Sequence, residues 1–476
     1  MRYGIQSGAF EIPHALGQAL MVQVRTLRLS HVLLITGASA LIVLLAYEAP
    51  LTFDEAFNRV AYDNLSVIGI MVTYSWPNNH IPFTLLQSFI PGRLLAWNPW
   101  TIRIFGVASS VAMVTILTGA AAARRATPLF GLFIVLGSPL LVTYLFVSRG
   151  YTFSAVFLVA AAALPVLLAR RDSVMAVCLG AAALAFATWP LPTNAFIAPG
   201  WIVGVLAICG LRAAIAGTAV YTGAVAVLFA PIAGQVYTQA GVWNLHESWW
   251  QWLGDLTAAS SLVPVCLGLV VAVTIASIAR RHRSLSVADV RARGGSARLA
   301  LLTATMSVSW FGLIGVAHAV VGLHLPFVRT AVPALWLAAV ALVAAFPRGR
   351  LGYLAVALLV PAFVASVLMW TNAVRNGNWE RVSQTSRNDV LYSTTPVTIR
   401  DLRSIGADKI DCVGYDAPIC VLVTPFLAHE GISVITGTGK AVYDASLPCA
   451  LGSRRPPVPW EVNVYRQGKL LGVLCH

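Results

Sequence analysis

The sequence predicts an all-α polytopic membrane protein followed by a small C-terminal α/β domain. Of its 476 residues, 58% are hydrophobic and only 11% are charged, and the mean hydropathy is +0.77. A soluble domain has about 25% charged residues, so a lipid bilayer is the environment that accounts for this much apolar surface. The formal net charge is +14, and the arginines lie in short clusters between apolar runs, as membrane topology requires. Nucleic acid is therefore not an expected partner.

The chain is expected to begin with a cytoplasmic segment over residues 1–28, which carries three arginines. Leu29 to Tyr47 follows as the first crossing, because about 20 apolar residues span a bilayer as a helix. We interpret this run as a retained anchor, since it is followed by further apolar segments rather than by a soluble mature domain. It delivers Asp54 and Glu55 to the outer side of the membrane.

Residues 51–98 are interpreted as an outer catalytic loop with juxtamembrane helices. The apolar run from His80 to Trp97 is short and is broken at Pro91. If that run crossed the membrane, Arg124 and every later basic cluster would change sides, against the positive-inside rule. We therefore predict an amphipathic helix that lies along the outer interface.

The transmembrane domain is expected over residues 29–370, with about eleven crossings. After the first, the predicted crossings run over 100–123, 128–147, 151–169, 174–189, 195–211, 213–232, 262–279, 299–321, 326–346 and 351–370. This topology leaves five arginines on the outer side, namely Arg59, Arg93, Arg103, Arg149 and Arg329. The outer loop over 235–261 holds four tryptophans, which favour the headgroup level, and it is predicted to contain a second surface helix.

Residues 371–476 are expected to form a separate extracytoplasmic α/β domain, because charged residues become frequent there. Short β-like runs are predicted at 409–414, 419–424, 432–436, 461–465 and 470–474. About 100 residues suffice for a modest core. Four cysteines in this polar region indicate an oxidising compartment. They are Cys412, Cys420, Cys449 and Cys475, and their three alternative pairings stay open.

Asp54 and Glu55 are the leading candidates for catalysis, since Asp and Glu together number only 18 in the chain. One interpretation is a helix start, because Thr52 and Glu55 have the spacing of a capping box. The other is a general base, since a carboxylate fixed at a membrane edge can accept a proton from a hydroxyl. The two are compatible: neighbours on a helix do not share a face, so Asp54 is available if the cap holds Glu55.

The stretch from Asn78 to Pro82 is the second candidate. It is either a polar turn before a surface helix, or a source of hydrogen-bond donors for a phosphate or an acceptor sugar. In the second interpretation His80 and Asn79 orient the donor or the acceptor.

These features resemble the GT-C glycosyltransferases, above all the protein O-mannosyltransferase-like and aminoarabinose-transferase-like branches in bacteria. The resemblance is specific at residues 52–84, where an Asp-Glu pair follows the first crossing and Asn-Asn-His enters an interface helix. It extends in layout over residues 30 to about 350. Ser148-Arg149-Gly150-Tyr151 is similar to the family's Ala-Arg-x-Tyr region, and Leu325 to Thr330 stands where the family has Pro-Arg-Tyr. The chain departs from the family in having Ile81 and Thr330 where Pro and Tyr are common.

The resemblance implies a polyprenyl-phosphate-linked sugar as the donor, and neither a metal nor another cofactor. Preorganised donors stabilise a phosphate whose charge grows in the transition state, and the arginine fork binds phosphate well. Arg329 and Arg149 are therefore the predicted phosphate ligands, with His324 as a third. The alternative for each arginine is snorkelling to lipid headgroups. Arg59, Arg93 and Arg103 are interpreted as holding the surface helices in place.

The predicted function is inverting transfer of a sugar to a hydroxyl on the outer face of a bacterial plasma membrane. The acceptor is a glycan, a lipid or a protein of the cell envelope. A transporter or lipid flippase is the rival class, although transporters place ionisable residues at mid-membrane and here the acidic pair lies at the outer edge. A scaffold without activity, whose tail binds a partner, is the third interpretation.

Overall fold

The computed structural model of the chain describes residues 29–49, 55, 58, 62, 65–74, 80–90, 99–123, 129–147, 149–168, 173–242, 248–260, 295–322, 328–345, 350–376, 406–413, 431–436, 461–467 and 469–474. Every structural statement below concerns these residues. The predicted crossing over 262–279 lies outside them.

The described part of the chain is mainly helical. Its α-helices are α1 (Leu29–Glu48), α2 (Val67–Val72), α3 (Ile81–Ser88), α4 (Pro99–Ala123), α5 (Leu129–Leu136), α6 (Pro139–Phe146), α7 (Gly150–Leu168), α8 (Ser173–Thr188), α9 (Ala198–Cys209), α10 (Leu211–Phe229), α11 (Ala233–Val242), α12 (Trp249–Ser260), α13 (Gly295–Val321), α14 (Val332–Ala345) and α15 (Arg350–Asn376). Short 3₁₀ helices cover Pro192–Ile197, Ala230–Ile232 and Val328–Ala331.

Within the described ranges, seven helical segments are long and apolar enough to cross a membrane. They are Leu29–Glu48, Thr101–Ala121, Gly150–Leu168, Pro192–Cys209, Leu211–Thr238, Gly295–Val320 and Val328–Ala345. A helix of 20 residues such as α1 is about 30 Å long, which matches the hydrocarbon thickness of a bilayer. The chain is therefore a multi-pass α-helical membrane protein, and the class that the composition predicts is confirmed.

The helices form a bundle with a buried centre and a lipid-facing rim. Every residue of α6, and every residue of α14 from Val332 to Ala344, is buried. α7 packs on α4, α8 and α14 and is therefore a central helix of the bundle. The rim includes α1 and α10, which expose large apolar side chains such as Leu33, Ile215 and Val227. Such a surface needs lipid rather than water as its solvent.

The crossing predicted over 128–147 is not one continuous helix. It consists of α5 and α6, which are separated at Gly137 and Ser138. Pro139 has no N–H and restricts the residue before it to an extended backbone, and Ser138 has φ −108° and ψ 105°. The Ser138 side chain then caps α6 by accepting a hydrogen bond from the Leu141 N–H (3.4 Å). The Ser-Pro pair thus explains the interruption.

Two surface helices were predicted from composition. The first appears as α3, whose eight residues are too few to cross a bilayer. Its first turn is buried in the bundle, while Phe89 just beyond it is exposed, so it enters the protein more deeply than an interfacial helix would. The second helix is confirmed as α12, where Trp252 is buried against Trp310 and Trp250 is exposed.

The C-terminal region contains a four-stranded sheet with the order β2-β1-β3-β4. The strands are β1 (Lys409–Val413), β2 (Ser433–Thr436), β3 (Glu461–Arg466) and β4 (Lys469–Leu474). β1 and β2 are parallel, and the other pairs are antiparallel. Four of the predicted strands are confirmed, including the hairpin that turns at Gln467. The predicted strand at 419–424 lies outside the described residues.

Candidate active site

Glu55 and Arg103 form a buried ion pair at one end of the bundle. Arg103 Nε donates to Glu55 Oε1 and Arg103 Nη2 to Glu55 Oε2, each over 2.9 Å. Both side chains are 0% exposed. This is the bidentate geometry in which arginine binds a carboxylate most strongly. The distribution of arginines predicts that this end of the bundle faces outward, and we call it the outer end.

Arg103 also fastens the last turn of α1. Its Nη1 donates to the carbonyl oxygens of Ala46 and Ala49, both over 2.8 Å. The last carbonyls of a helix have no partner inside the helix, so a buried arginine satisfies them well. The guanidinium lies over the ring of Phe146 at the end of α6, with 5.7 Å from Cζ to the ring centroid. Arg103, which lies on α4, thus contacts Glu55, the end of α1 and the end of α6.

Of the predicted catalytic pair Asp54 and Glu55, the structure describes only Glu55. Asp54 lies outside the described residues, and so do Thr52, Asn79 and His324. The capping box stays a prediction for that reason. Glu55 is held in a buried ion pair, which agrees with a structural role and gives it no access to an acceptor hydroxyl.

His80 is buried at the outer end, immediately before α3. Its Nδ1 donates to the carbonyl oxygen of Pro190 (2.7 Å). A carbonyl oxygen can only accept, so Nδ1 carries the hydrogen of this bond. The ring stands edge-on to Tyr151, with centroids 5.2 Å apart. A Cβ added at Gly150 would lie 2.9 Å from His80 Cβ, so only glycine leaves room for the imidazole there.

Arg149 belongs to the same cluster. Its guanidinium lies over the ring of Tyr151, with 5.6 Å from Cζ to the centroid. Tyr151 is also in edge contact with Tyr144 on α6, at 4.7 Å between centroids. The Asn-Asn-His stretch and the Ser-Arg-Gly-Tyr stretch, 69 positions apart at His80 and Arg149, therefore meet in space. We call the group of Tyr62, Tyr74, His80, Arg149 and Tyr151 the His80–Arg149 cluster.

Tyr74 and Tyr62 complete this cluster. Burial raises the pKa of the Tyr74 phenol far above its usual value, and the nearby phenols of Tyr151 and Tyr62 raise the pKa further. The positive charge of Arg149 lowers the pKa in part. Tyr74 therefore keeps its proton at physiological pH and remains a hydrogen-bond donor. The cluster thus combines a cation, phenols and an imidazole, which are groups suited to an anionic or hydroxyl-rich ligand.

Arg329 lies on the 3₁₀ helix Val328–Ala331, just before α14, and is buried. That 3₁₀ helix packs on α12, the helix with the tryptophans, and on α14. α12 in turn packs on α6, the helix that leads to Arg149. Arg329 is thus at the start of the apolar segment Val328–Ala345, beside the tryptophan helix α12.

Some residues of this region were missed by sequence reasoning. Tyr74 and Gln235 were not singled out, and Arg103 was assigned to the surface helices rather than to α1 and Glu55. Only the unusual position of an arginine at the start of an apolar crossing pointed to Arg103. In the part of the chain that the structure describes, no three His, Cys, Asp or Glu side chains lie close enough together to hold a metal ion.

Comparison with known proteins gives a likeness among solved structures. No protein-family model matches the sequence, and no curated protein matches it. The chain is similar to the crystal structure of ArnT from Cupriavidus metallidurans bound to undecaprenyl phosphate, with 13% identity, 87% of each chain covered and a TM-score of 0.44. It is also similar to the same protein in the apo state, with 12% identity, 86% of each chain covered and a TM-score of 0.43. The function proposed below is argued from the residues of this chain.

Proposed function

We propose that this protein is an inverting GT-C glycosyltransferase that moves a sugar from a polyprenyl phosphate to a hydroxyl on the outer face of the membrane. The observation that carries the proposal is the convergence of His80 and Arg149 with three tyrosines at the outer end of a membrane-spanning bundle. A lipid phosphate lies at this depth when its prenyl chain is in the bilayer. A buried arginine and phenol donors can bind that phosphate.

In the proposed reaction, the carboxylate of Asp54 accepts the proton of the acceptor hydroxyl. The acceptor oxygen attacks the anomeric carbon from the face opposite the phosphate, and the bond from that carbon to the phosphate oxygen breaks. The configuration is therefore inverted. Arg149, and Arg329 and His324 with it, stabilise the negative charge that grows on the leaving phosphate. His80 and Asn79 orient the two substrates.

The buried Arg103–Glu55 pair supports the role of Asp54. Glu55 is fixed by two hydrogen bonds to Arg103, which also holds the end of α1. Asp54 precedes Glu55 directly in the sequence, so its backbone is joined to a fixed position of the bundle. Catalytic groups held on rigid elements are positioned more accurately than groups on loops.

The proposed topology retains eleven crossings. To the seven long segments it adds α5 with α6 as one interrupted crossing, α8, α15 and residues 262–279. The C-terminal α/β domain over 371–476 then lies outside, on the same side as Asp54. The location is a bacterial plasma membrane, and the acceptor is a glycan, a lipid or a protein of the cell envelope.

The test replaces Asp54 with Asn in purified protein in liposomes that contain polyprenyl-phosphate sugar and cell-envelope acceptors. We expect Asp54→Asn to lower transfer at least a hundredfold, since a positioned general base contributes about 10²–10⁴-fold. Glu48→Gln at the end of α1 also removes one carboxylate from this end of the bundle and should keep full activity. Normal turnover by Asp54→Asn would refute the assignment, and lipid movement without sugar consumption would instead favour a transporter.

A further inference from the structure

The His80–Arg149 cluster is closed in this structure. Tyr62, Tyr74, His80, Arg149 and Tyr151 are each between 2% and 4% exposed. A lipid-linked sugar is far too large to reach these side chains without the displacement of a covering segment. The location of that segment therefore determines the route by which a substrate enters.

On the side of α11, residues 65–74 pack beside the cluster and are bonded to Gln235, and we call them the strap. It contains α2 and ends at Tyr74. Tyr74 shares a buried apolar cluster with Ile81, the neighbour of His80, and with Trp189, the neighbour of Pro190, and its phenol lies close enough to Arg149 and Tyr151 for their charges to affect its pKa. Tyr74 is thus the part of the strap that reaches into the cluster.

Gln235 at the start of α11 fastens the strap through both ends of its side-chain amide. Its Oε1 accepts a hydrogen bond from the backbone N–H of Tyr74. Its Nε2 donates to the carbonyl oxygen of Val72 over 2.7 Å. Val72 ends α2, so this carbonyl has no partner within the helix. One side chain from a distant part of the sequence therefore holds the strap on both sides of Thr73.

The other face of the strap is apolar and open. Val67, Ile68 and Val72 are 44%, 71% and 41% exposed, whereas Ile70 on the inner face is fully buried. Six helical residues cannot cross a bilayer. At the outer end of a membrane bundle, such a face rests in the lipid interface. On the topology proposed above, the strap then lies between the bilayer and the cluster.

We propose that the strap is the gate through which a lipid-linked substrate enters from the bilayer, and that Gln235 is its latch. Release of the two Gln235 hydrogen bonds lets Tyr74 withdraw from Arg149 and Tyr151 and opens the cluster towards the lipid. A prenyl chain can then stay in the bilayer while its phosphate reaches Arg149. The identity of the entering lipid rests on the function proposed above, whereas the gate itself does not.

The first experiment measures opening without any substrate. Ile81→Cys places a thiol directly beneath Tyr74, and its rate of modification by N-ethylmaleimide in lipid nanodiscs is followed by peptide mass spectrometry. Adding Gln235→Leu should speed this modification about tenfold or more, because two hydrogen bonds of ordinary net strength are lost. Gln235→Glu keeps the side-chain volume but places an oxygen against the Val72 carbonyl, so it should speed modification as well.

Thr238→Val is the matched control, because Thr238 lies one turn further along α11 and bonds only to carbonyls of its own helix. It should leave the modification rate unchanged. Equal rates in the parent, the Gln235→Leu protein and the Gln235→Glu protein would overturn the latch. A rise in the Thr238→Val protein of the same size would overturn it too, since the effect would then belong to α11 as a whole.

The second experiment tests entry with undecaprenyl phosphate as the probe and the corresponding polyprenol as its control. Gln235→Leu should raise the association rate of the phosphate about tenfold, while Thr238→Val should leave it unchanged. An association rate that does not respond to Gln235→Leu, although the thiol is exposed, would overturn the strap as the route of entry. The proposed reaction is tested separately. Normal turnover by Asp54→Asn would refute the reaction but would leave the result on the strap intact.

Discussion

Arg103 and Arg149 are two buried arginines at the same end of the bundle, and their surroundings differ. Arg103 places its donors on the Glu55 carboxylate and on two carbonyls of α1. Arg149 lies over the ring of Tyr151, beside His80 and two further phenols. Arg103 binds an acidic side chain and fastens helices, whereas Arg149 contacts aromatic rings, and we propose that it binds a phosphate. The different roles proposed for these two arginines therefore rest on their contacts and not on their burial.

The largest expected effect is on the Arg103 side of this comparison. Arg103→Leu should lower the free energy of unfolding by about 3–5 kcal/mol, because it leaves the Glu55 carboxylate buried without its counter-charge. Thermal unfolding in detergent measures the loss. Changing Glu55 and Arg103 to Leu together should restore part of the stability, since no isolated charge then remains. A single variant within about 1 kcal/mol of the parent would show that the pair does not fasten α1.

Arg149 should show the opposite pattern. Arg149→Met should leave the unfolding temperature nearly unchanged but reduce sugar transfer by about 10²–10³-fold, the usual result of removing one donor from a developing negative charge. Arg149→Lys keeps the charge but not the planar guanidinium, so its activity should lie between that of the parent and that of Arg149→Met. Initial rates with saturating acceptor provide the measurement. If Arg149→Met unfolds the protein instead, Arg149 is a structural residue like Arg103.

The smallest effect concerns the glycine that separates the arginine from the tyrosine. Gly150→Ala should cost about 1–3 kcal/mol of stability, the usual penalty for overpacking, because the new methyl group meets the His80 ring. It should also lower transfer, since the ring must move away from Pro190. Gly312→Ala on α13, where an added Cβ has nothing within 4 Å, is the control and should cost nothing. Equal behaviour of the two variants would mean that the position of His80 does not matter.

The helices were largely predictable, because the hydropathy of a segment and the arginines at its ends can be read from a short stretch of sequence. The length of α1, the existence of α12 and four of the strands follow from such local signals. The interruption between α5 and α6 was visible in Ser138-Pro139, although the crossing was predicted as continuous. The motif around His80 was found because its residue types are unusual beside apolar runs.

The contacts within the site were not predictable, because they join residues far apart in sequence. His80 bonds to Pro190, 110 positions later, and Tyr74 bonds to Gln235, 161 positions later. No local pattern reports such a pairing, and a glutamine at a helix start has many ordinary roles. The Glu55–Arg103 pair spans 48 positions and follows from the packing of α1 on α4. Long-range geometry of this kind depends on the whole bundle.

The attachment of α1 to Arg103 has a consequence for how the protein responds to bilayers of different thickness. A peripheral helix commonly adapts to hydrophobic mismatch by tilting or by shifting along the membrane normal. Here the carbonyls of Ala46 and Ala49 are bound to a buried side chain of the central bundle, so the outer end of α1 cannot shift. Mismatch is then accommodated at the opposite end, near Leu29. The position of Glu55 relative to the bundle is consequently set by the protein and not by the lipid composition.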